Sequence, residues 1–290
     1  MERSKLAVEK PARIGYRPPS MIDGLGGGRP FEGEWALILG ASSGFGAATA
    51  RELGRRGMGI LGVHLDRKAT LPLAEAVTGD VRAAGSPVQL FNVNAADEAK
   101  RVEVCERARE LVGGKPLRVL MHSLAFGTLK PFVSDVPGQP TTKAQLEMTL
   151  DVMAHSLVYW VQDLRARGLL GDGSRIFAMT SSGGTRVMPF YGAVSAAKAA
   201  LESHVRHLAL ELGGAGISVN AIRAGVTDTP ASRKIPAAEY LFQEARRRNP
   251  GGRLTVPEDV AGAIAALSLP GTRWISGNVI GVDGGEDVTA

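Results

Sequence analysis

"WALILGASSGFGAATA", Trp35 to Ala50, decides the fold. Its first six residues, "WALILG", form an unbroken apolar run, the pattern of a strand buried on both faces. Gly40, Gly44 and Gly46 then fall in the spacing G-x-x-x-G-x-G, and a helix is expected from about Gly44 to Arg56. A glycine turn between strand and helix lets backbone come close to a ligand, while the helix N–H groups point at its charge. A dinucleotide pyrophosphate needs both features. Ser42, Ser43 and Phe45, inside the turn, are candidate contacts beside the three glycines.

Outward from this unit the alternation continues. Strands are expected at 59–65, 88–93, 117–123, 174–182, 217–224 and 277–285. Helical patterns lie between them at about 70–85, 97–113 and 143–168, around Tyr191 to about Gly213, and from Pro257. Strands alternating with crossover helices imply an α/β fold, a Rossmann-type doubly wound parallel sheet of about seven strands. No linker divides residues 34–290, so one domain is expected there. Residues 1–33, rich in Gly, Pro and charge, read as an N-terminal arm.

Composition narrows the function. The chain has 290 residues, a formal net charge of +5 and a single cysteine, Cys105, so no internal disulfide forms and a reducing compartment is implied. Cys105 lies in an expected helix, where packing is its ordinary role. The basic residues are scattered apart from Arg246, Arg247 and Arg248, which argues against a nucleic-acid binder. No apolar run reaches membrane-spanning length, and a signal-peptide core is lacking. The expectation is a cytoplasmic protein without a metal site.

The second strand ends "VHLDRK". An acidic group at such a strand end can hold the adenosine ribose diol, whereas basic groups accommodate a 2′-phosphate. His64 occupies the usual acidic position and Asp66 lies just past it, with Arg67 and Lys68 next. The basic pair favours NADPH over NADH.

"PFYGAVSAAKAAL", 189–201, carries Tyr191 and Lys198 seven residues apart, and Ser181 lies seventeen before the lysine. At 3.6 residues per turn, side chains seven apart share one face of a helix. Reduction of an α,β-unsaturated thioester puts hydride on the β-carbon and negative charge on the thioester oxygen, two carbons away. A hydroxyl serving that oxygen must stand further off than one serving a ketone, and a displaced tyrosine meets that need.

The glycine spacing resembles that of the short-chain dehydrogenase/reductase family, with Leu39 in place of its usual Thr, and the resemblance covers roughly 34–285. "MHSLAFG" (121–127) and the Tyr-x6-Lys spacing resemble the enoyl-(acyl carrier protein) reductase branch. The resemblance implies that Asn92 and Val93 border adenine, and that Ser123, Leu124 and Ala125 flank the cofactor. It implies that Lys198 binds the nicotinamide ribose, Tyr191 the thioester oxygen, and that Ser181 assists. Gly225 and Val226 would meet the nicotinamide carboxamide and Thr229 the pyrophosphate. A lid is implied at about 228–250, an acyl thioester as substrate, carried on acyl carrier protein or coenzyme A, and a homotetramer. Ala197, Leu201, Val205 and Leu208 form an apolar stripe that is either core or the subunit interface of that tetramer. His155 reads as a core or interface histidine. Two other functions stay open: a short-chain carbonyl (3-ketoacyl) reductase, and a nucleotide-binding regulator without turnover.

Overall fold

The structure is a computed structural model, and it describes residues 28–289. Seven parallel strands form one sheet: β1 (Trp35–Leu39), β2 (Gly59–His64), β3 (Val88–Asn92), β4 (Val119–His122), β5 (Arg175–Ser181), β6 (Ser218–Ala224) and β7 (Val279–Val282). Their order is β3-β2-β1-β4-β5-β6-β7. The order reverses between β1 and β4, which opens a crevice at the carboxyl ends of these strands. β1 alternates: Leu37 and Leu39 enter one core layer, Ala36 and Ile38 the other. Burial on both faces is why this strand reads as a continuous apolar run.

The first layer packs α3 (Glu98–Leu111), α5 (Ser156–Ala166) and α6 (Gly192–Gly213) on the sheet. The second packs α1 (Gly44–Arg55), α2 (Leu71–Ala83) and α8 (Pro257–Leu267). Asp97 caps α3 by accepting the Lys100 N–H, and Thr142 with Gln145 forms a capping box on α4 (Lys143–Leu150). Cys105 is fully buried, and burial pushes its thiol up to about 12, so it packs and does not react.

Three features go beyond the sequence expectation. The helix expected over 143–168 is interrupted by a π turn, Asp151–His155, between α4 and α5. The stripe Ala197, Leu201, Val205 and Leu208 is buried within the single chain, so it is core and unavailable as an interface. Within 228–250 the chain forms a short 3-10 turn, Ser232–Lys234, and a regular helix, α7 (Ala238–Arg248).

Of the expected arm, residues 1–27 lie outside the described residues. Arg29 donates to the carbonyls of Ala84 and Gly85, and Phe31 is buried, so the chain from Arg29 packs on the domain. Among the described residues, no helix is long and apolar enough to cross a membrane, and no group of three or more metal-ligating side chains occurs.

Candidate active site

The glycine turn joins β1 to α1 at the crevice. Gly40 has φ +90°, and a Cβ there would lie 2.4 Å from the Ser123 carbonyl oxygen. A Cβ on Gly46 would lie 2.0 Å from the Gly40 carbonyl oxygen. These two glycines let backbone pack on backbone. Gly44 differs: its φ is +53°, and the nearest atom to a Cβ would be Thr229 Cγ2 at 3.6 Å. Ser43 caps α1 without a side-chain hydrogen bond, and the first turn holds no acidic residue. The first N–H groups of α1 are therefore left without a side-chain cap, beside Gly44 and Thr229. This cradle suits a pyrophosphate.

At the end of β2, Asp66 is firmly held. Its carboxylate accepts from His64 Nδ1 at 2.8 Å. Burial raises its pKa, but hydrogen bonds from Thr70, Ser42 and His64 outweigh that and leave it lowered. Asn92 clamps the Asp66 backbone, accepting its N–H and donating to its carbonyl, each at 3.0 Å. The Val93 N–H donates to the His64 carbonyl at 2.9 Å. Arg67 and Lys68 are exposed. Asp66 thus reaches back to Ser42 in the glycine turn, while the two basic side chains stand free at its edge.

A cavity of about 470 Å³ opens beside the turn. It gathers Phe45, Ser123, Leu124, Ala125, Ser181, Tyr191, Lys198, Gly225, Val226 and Thr229 on its walls. Gly40, Ser42, Ser43, Gly44 and Gly46 form the adjoining turn, and His64, Asp66, Arg67, Lys68, Asn92 and Val93 lie at the ends of β2 and β3. The remaining wall is largely apolar, with Leu129, Met153, Met188, Val194, Ile235 and Leu241.

Tyr191 does not sit inside the helix. It is the N-cap of α6, with φ −94° and ψ 2°, and Phe190 before it is left-handed at φ 64°. The Tyr191 carbonyl accepts the Ser195 N–H at 2.8 Å, so Tyr191 heads the helix, and the left-handed Phe190 sets the bend by which the chain enters it. Such a conformation costs a non-glycine residue about 1–3 kcal/mol and persists only where the surroundings hold it. Burial raises the Tyr191 pKa, and a hydrogen bond with Ser181 partly offsets the rise. The phenol is accordingly neutral near pH 7 and able to donate.

Lys198 is buried, and its Nζ donates to the Met179 carbonyl at 2.7 Å. Burial pulls its pKa down to about 8, against the attraction of Glu202. Deeper, His122 Nε2 lies 2.8 Å from Ser156 Oγ, which itself donates to the Val152 carbonyl within the π turn. The imidazole is therefore the donor of that pair, and its Nδ1 has no partner among the described residues. Burial first, then Lys198, hold its pKa down to about 3, so the ring is neutral.

Glu286 is a residue that no motif signalled. It is buried at the C-terminal turn, and its carboxylate accepts the Val226 N–H at 3.0 Å. Burial raises its pKa, opposed by that N–H and by Arg248. A Cβ on Gly225 would lie 2.3 Å from Thr255 Oγ1 and 3.0 Å from Glu286 Oε2. The Val226 N–H is thus committed, which leaves its carbonyl as the group available to a nicotinamide carboxamide.

The basic residues near α7 are mostly paired. Arg233 binds Asp228, Arg247 binds Glu244, and Arg248 lies 3.6 Å from Glu286. Lys234 lines the cavity mouth, and Arg246 is exposed. His155 lies away from the cavity wall, its Nδ1 3.0 Å from His204 Nε2.

Comparison with known proteins adds to this geometry. The family model described as enoyl-(acyl carrier protein) reductase matches residues 40–286. An enoyl-(acyl carrier protein) reductase (NADH) of Buchnera aphidicola is 32% identical over 170 residues, 59% of this chain. The chain spans 64% of that relative's length. A cis-4-hydroxycyclohexanecarboxylate dehydrogenase of Sinomonas cyclohexanicum is 32% identical over 89% of this chain and 98% of its own. The solved structure of an enoyl-(acyl carrier protein) reductase (NADH) from Aquifex aeolicus superposes with a TM-score of 0.77 at 26% identity, covering 90% of this chain and 98% of that one.

Proposed function

The chain belongs to the short-chain dehydrogenase/reductase family, in its enoyl-(acyl carrier protein) reductase branch, and from that premise we propose that it reduces the carbon–carbon double bond of a 2-enoyl thioester. The observation that carries this reading is Tyr191 on the N-cap of α6, in an apolar cavity with Lys198.

A reduced nicotinamide dinucleotide fits the cradle of Gly44, Thr229 and the uncapped α1 N-terminus, and when bound it supplies hydride for the β-carbon. Arg67 and Lys68 favour NADPH over NADH, although Asp66 beside Ser42 is also suited to a ribose diol. Asn92 and Val93 border the adenine, Ser123, Leu124 and Ala125 flank the nucleotide, and Lys198 holds the nicotinamide ribose.

The neutral Tyr191 phenol donates to the thioester oxygen, where negative charge develops, and a proton from solvent taken up at the α-carbon completes the reduction. A fixed donor in a dry site stabilises such charge at no reorganisation cost during reaction. Ser181 orients the phenol. Leu129, Met153, Met188 and Ile235 receive the acyl chain, and the 228–250 segment with α7 covers it and excludes water.

Ser181 beside Tyr191 also supports a second reading. That pair would serve a carbonyl oxygen equally, as in reduction of a 3-ketoacyl thioester. One assay separates the readings: oxidation of NADPH and NADH with an enoyl thioester, with a ketoacyl thioester of equal length, and with neither. Turnover with the enoyl substrate is expected. Turnover with the ketoacyl substrate alone selects the second reading, and binding without turnover selects a nucleotide-binding regulator.

A further inference from the structure

Glu202 stands one helical turn beyond Lys198 on α6, and the two side chains dock on consecutive residues of β5. Lys198 Nζ donates to the Met179 carbonyl at 2.7 Å, and Thr180 Oγ1 donates to Glu202 Oε1 at 2.6 Å. Gly184 closes the same corner: a Cβ there would lie 3.4 Å from both Glu202 Oε1 and Lys198 Cβ. Thr180 is buried and lines the cavity, whereas Glu202 is half-buried. The carboxylate is thus fixed by a buried hydroxyl one helical turn along α6 from the lysine.

We propose that Glu202, anchored by Thr180, is a positioning residue that keeps Lys198 cationic and in place for the dinucleotide. The proposal rests on the reading above that Lys198 holds the nucleotide. A lysine ammonium buried without a counter-charge sheds its proton, because desolvation disfavours the charged form. Here burial acts first, and Glu202 is the group that opposes it. The other titratable groups on the elements packed against α6 do not substitute for it: Glu147 of α4 is exposed and paired with Lys143, and Arg223 of β6 is paired with Asp287. His122, from β4, is neutral, and Tyr191, at the start of α6, is a neutral phenol. β5 contributes a carbonyl and a hydroxyl. The π turn packed on α6 carries Asp151, paired with Tyr159, and His155, paired with His204.

The sign follows from the charge. A carboxylate attracting the ammonium from one turn along the helix favours its protonated form, so loss of the carboxylate lowers the lysine midpoint. Lys198, already pulled down to about 8, would then lose its charge near neutral pH.

The test titrates lysine methylene carbons by NMR in protein labelled at lysine Cε. The Lys198 signal is assigned by its loss in Lys198→Met. The wild-type midpoint is expected near 8. Glu202→Gln should move it down by about one pH unit, and Glu202→Asp should restore part of the shift. Thr180→Val, which keeps the charge and removes its anchor, should move it the same way by less. That variant carries the test if Glu202→Gln fails to fold. In parallel, NADPH affinity is followed against pH by nucleotide fluorescence, and its alkaline limb should shift with the lysine midpoint.

An unchanged midpoint in Glu202→Gln and Thr180→Val overturns the proposal and leaves the Thr180–Glu202 bond a packing contact. Failure of the underlying reading looks different. In that case Lys198→Met would bind NADPH with the wild-type affinity and pH dependence, whatever Glu202 does to the lysine midpoint.

Discussion

Gly183 presents bare backbone to the ring of Tyr191: a Cβ at this position would lie 2.5 Å from Cε1 and 2.9 Å from Cδ1. The glycine immediately follows the Ser181–Ser182 pair at the end of β5, so the strand end that supplies Ser181 also sets the place of the phenol. No side chain fits between them without moving the ring.

Gly183→Ala should therefore displace the Tyr191 hydroxyl while leaving the nucleotide cradle intact. A displacement near 1 Å at a reacting centre costs up to about 10²-fold in rate. Steady-state kinetics should show a fall in kcat with the enoyl thioester, and fluorescence titration an unchanged affinity for NADPH. Wild-type kcat in this variant would mean that the ring position is immaterial to turnover.

Gly44→Val should weaken nucleotide binding about tenfold or more. A side chain would enter the space facing Thr229, and φ +53° is a conformation that β-branched residues resist. Fluorescence titration reads the affinity, and thermal unfolding shows whether the domain persists. A folded variant with wild-type affinity would reduce the turn to a structural bend.

The central strands were legible because burial on both faces writes itself as apolar runs, and the cradle because backbone approach demands glycine at set spacings. Tyr191, Lys198 and Ser181 were visible as residues, and the structure does bring them to one cavity. What spacing alone did not signal was the entry to the helix: a left-handed Phe190 precedes Tyr191, which is the N-cap of α6. α7 was hidden because it is short and strongly polar overall, ends in three arginines and has no capping side chain to mark its start, although Phe242 and Ala245 share a buried face. Glu286 was invisible for a different reason. Its contact with Val226 joins residues sixty positions apart, and only the turn after β7 brings them together.

Cofactor choice is expected to rest on the basic pair after β2. Arg67→Ala should raise the KM for NADPH far more than for NADH, since a charge-assisted contact to a 2′-phosphate is worth about 1.5–3 kcal/mol. Arg67 is exposed, so its removal should leave stability unchanged. Equal small effects on both cofactors would assign the ribose to Asp66 and favour NADH.

Tyr191 carries the sharpest expectation. Its hydroxyl is buried, neutral near pH 7 and beside Ser181, with an apolar wall for the acyl chain around it. Tyr191→Phe removes the donor to the thioester oxygen and little else. Loss of one such donor typically costs about 2.7–4 kcal/mol, or about 10²–10³ in kcat. Turnover of an enoyl thioester should fall by that factor while NADPH affinity stays near wild type, because the phenol is not part of the nucleotide cradle. On the proposed reading, wild-type protein should also prefer an enoyl over a ketoacyl thioester of equal length, since a displaced donor suits charge that develops two carbons from the hydride-accepting atom. If Tyr191→Phe kept full enoyl turnover, the stabilising donor would have to be Ser181 or another group on the cavity wall. If the wild type reduced the ketoacyl thioester and not the enoyl one, the displaced tyrosine would be serving a carbonyl oxygen, and the proposed reaction would be wrong.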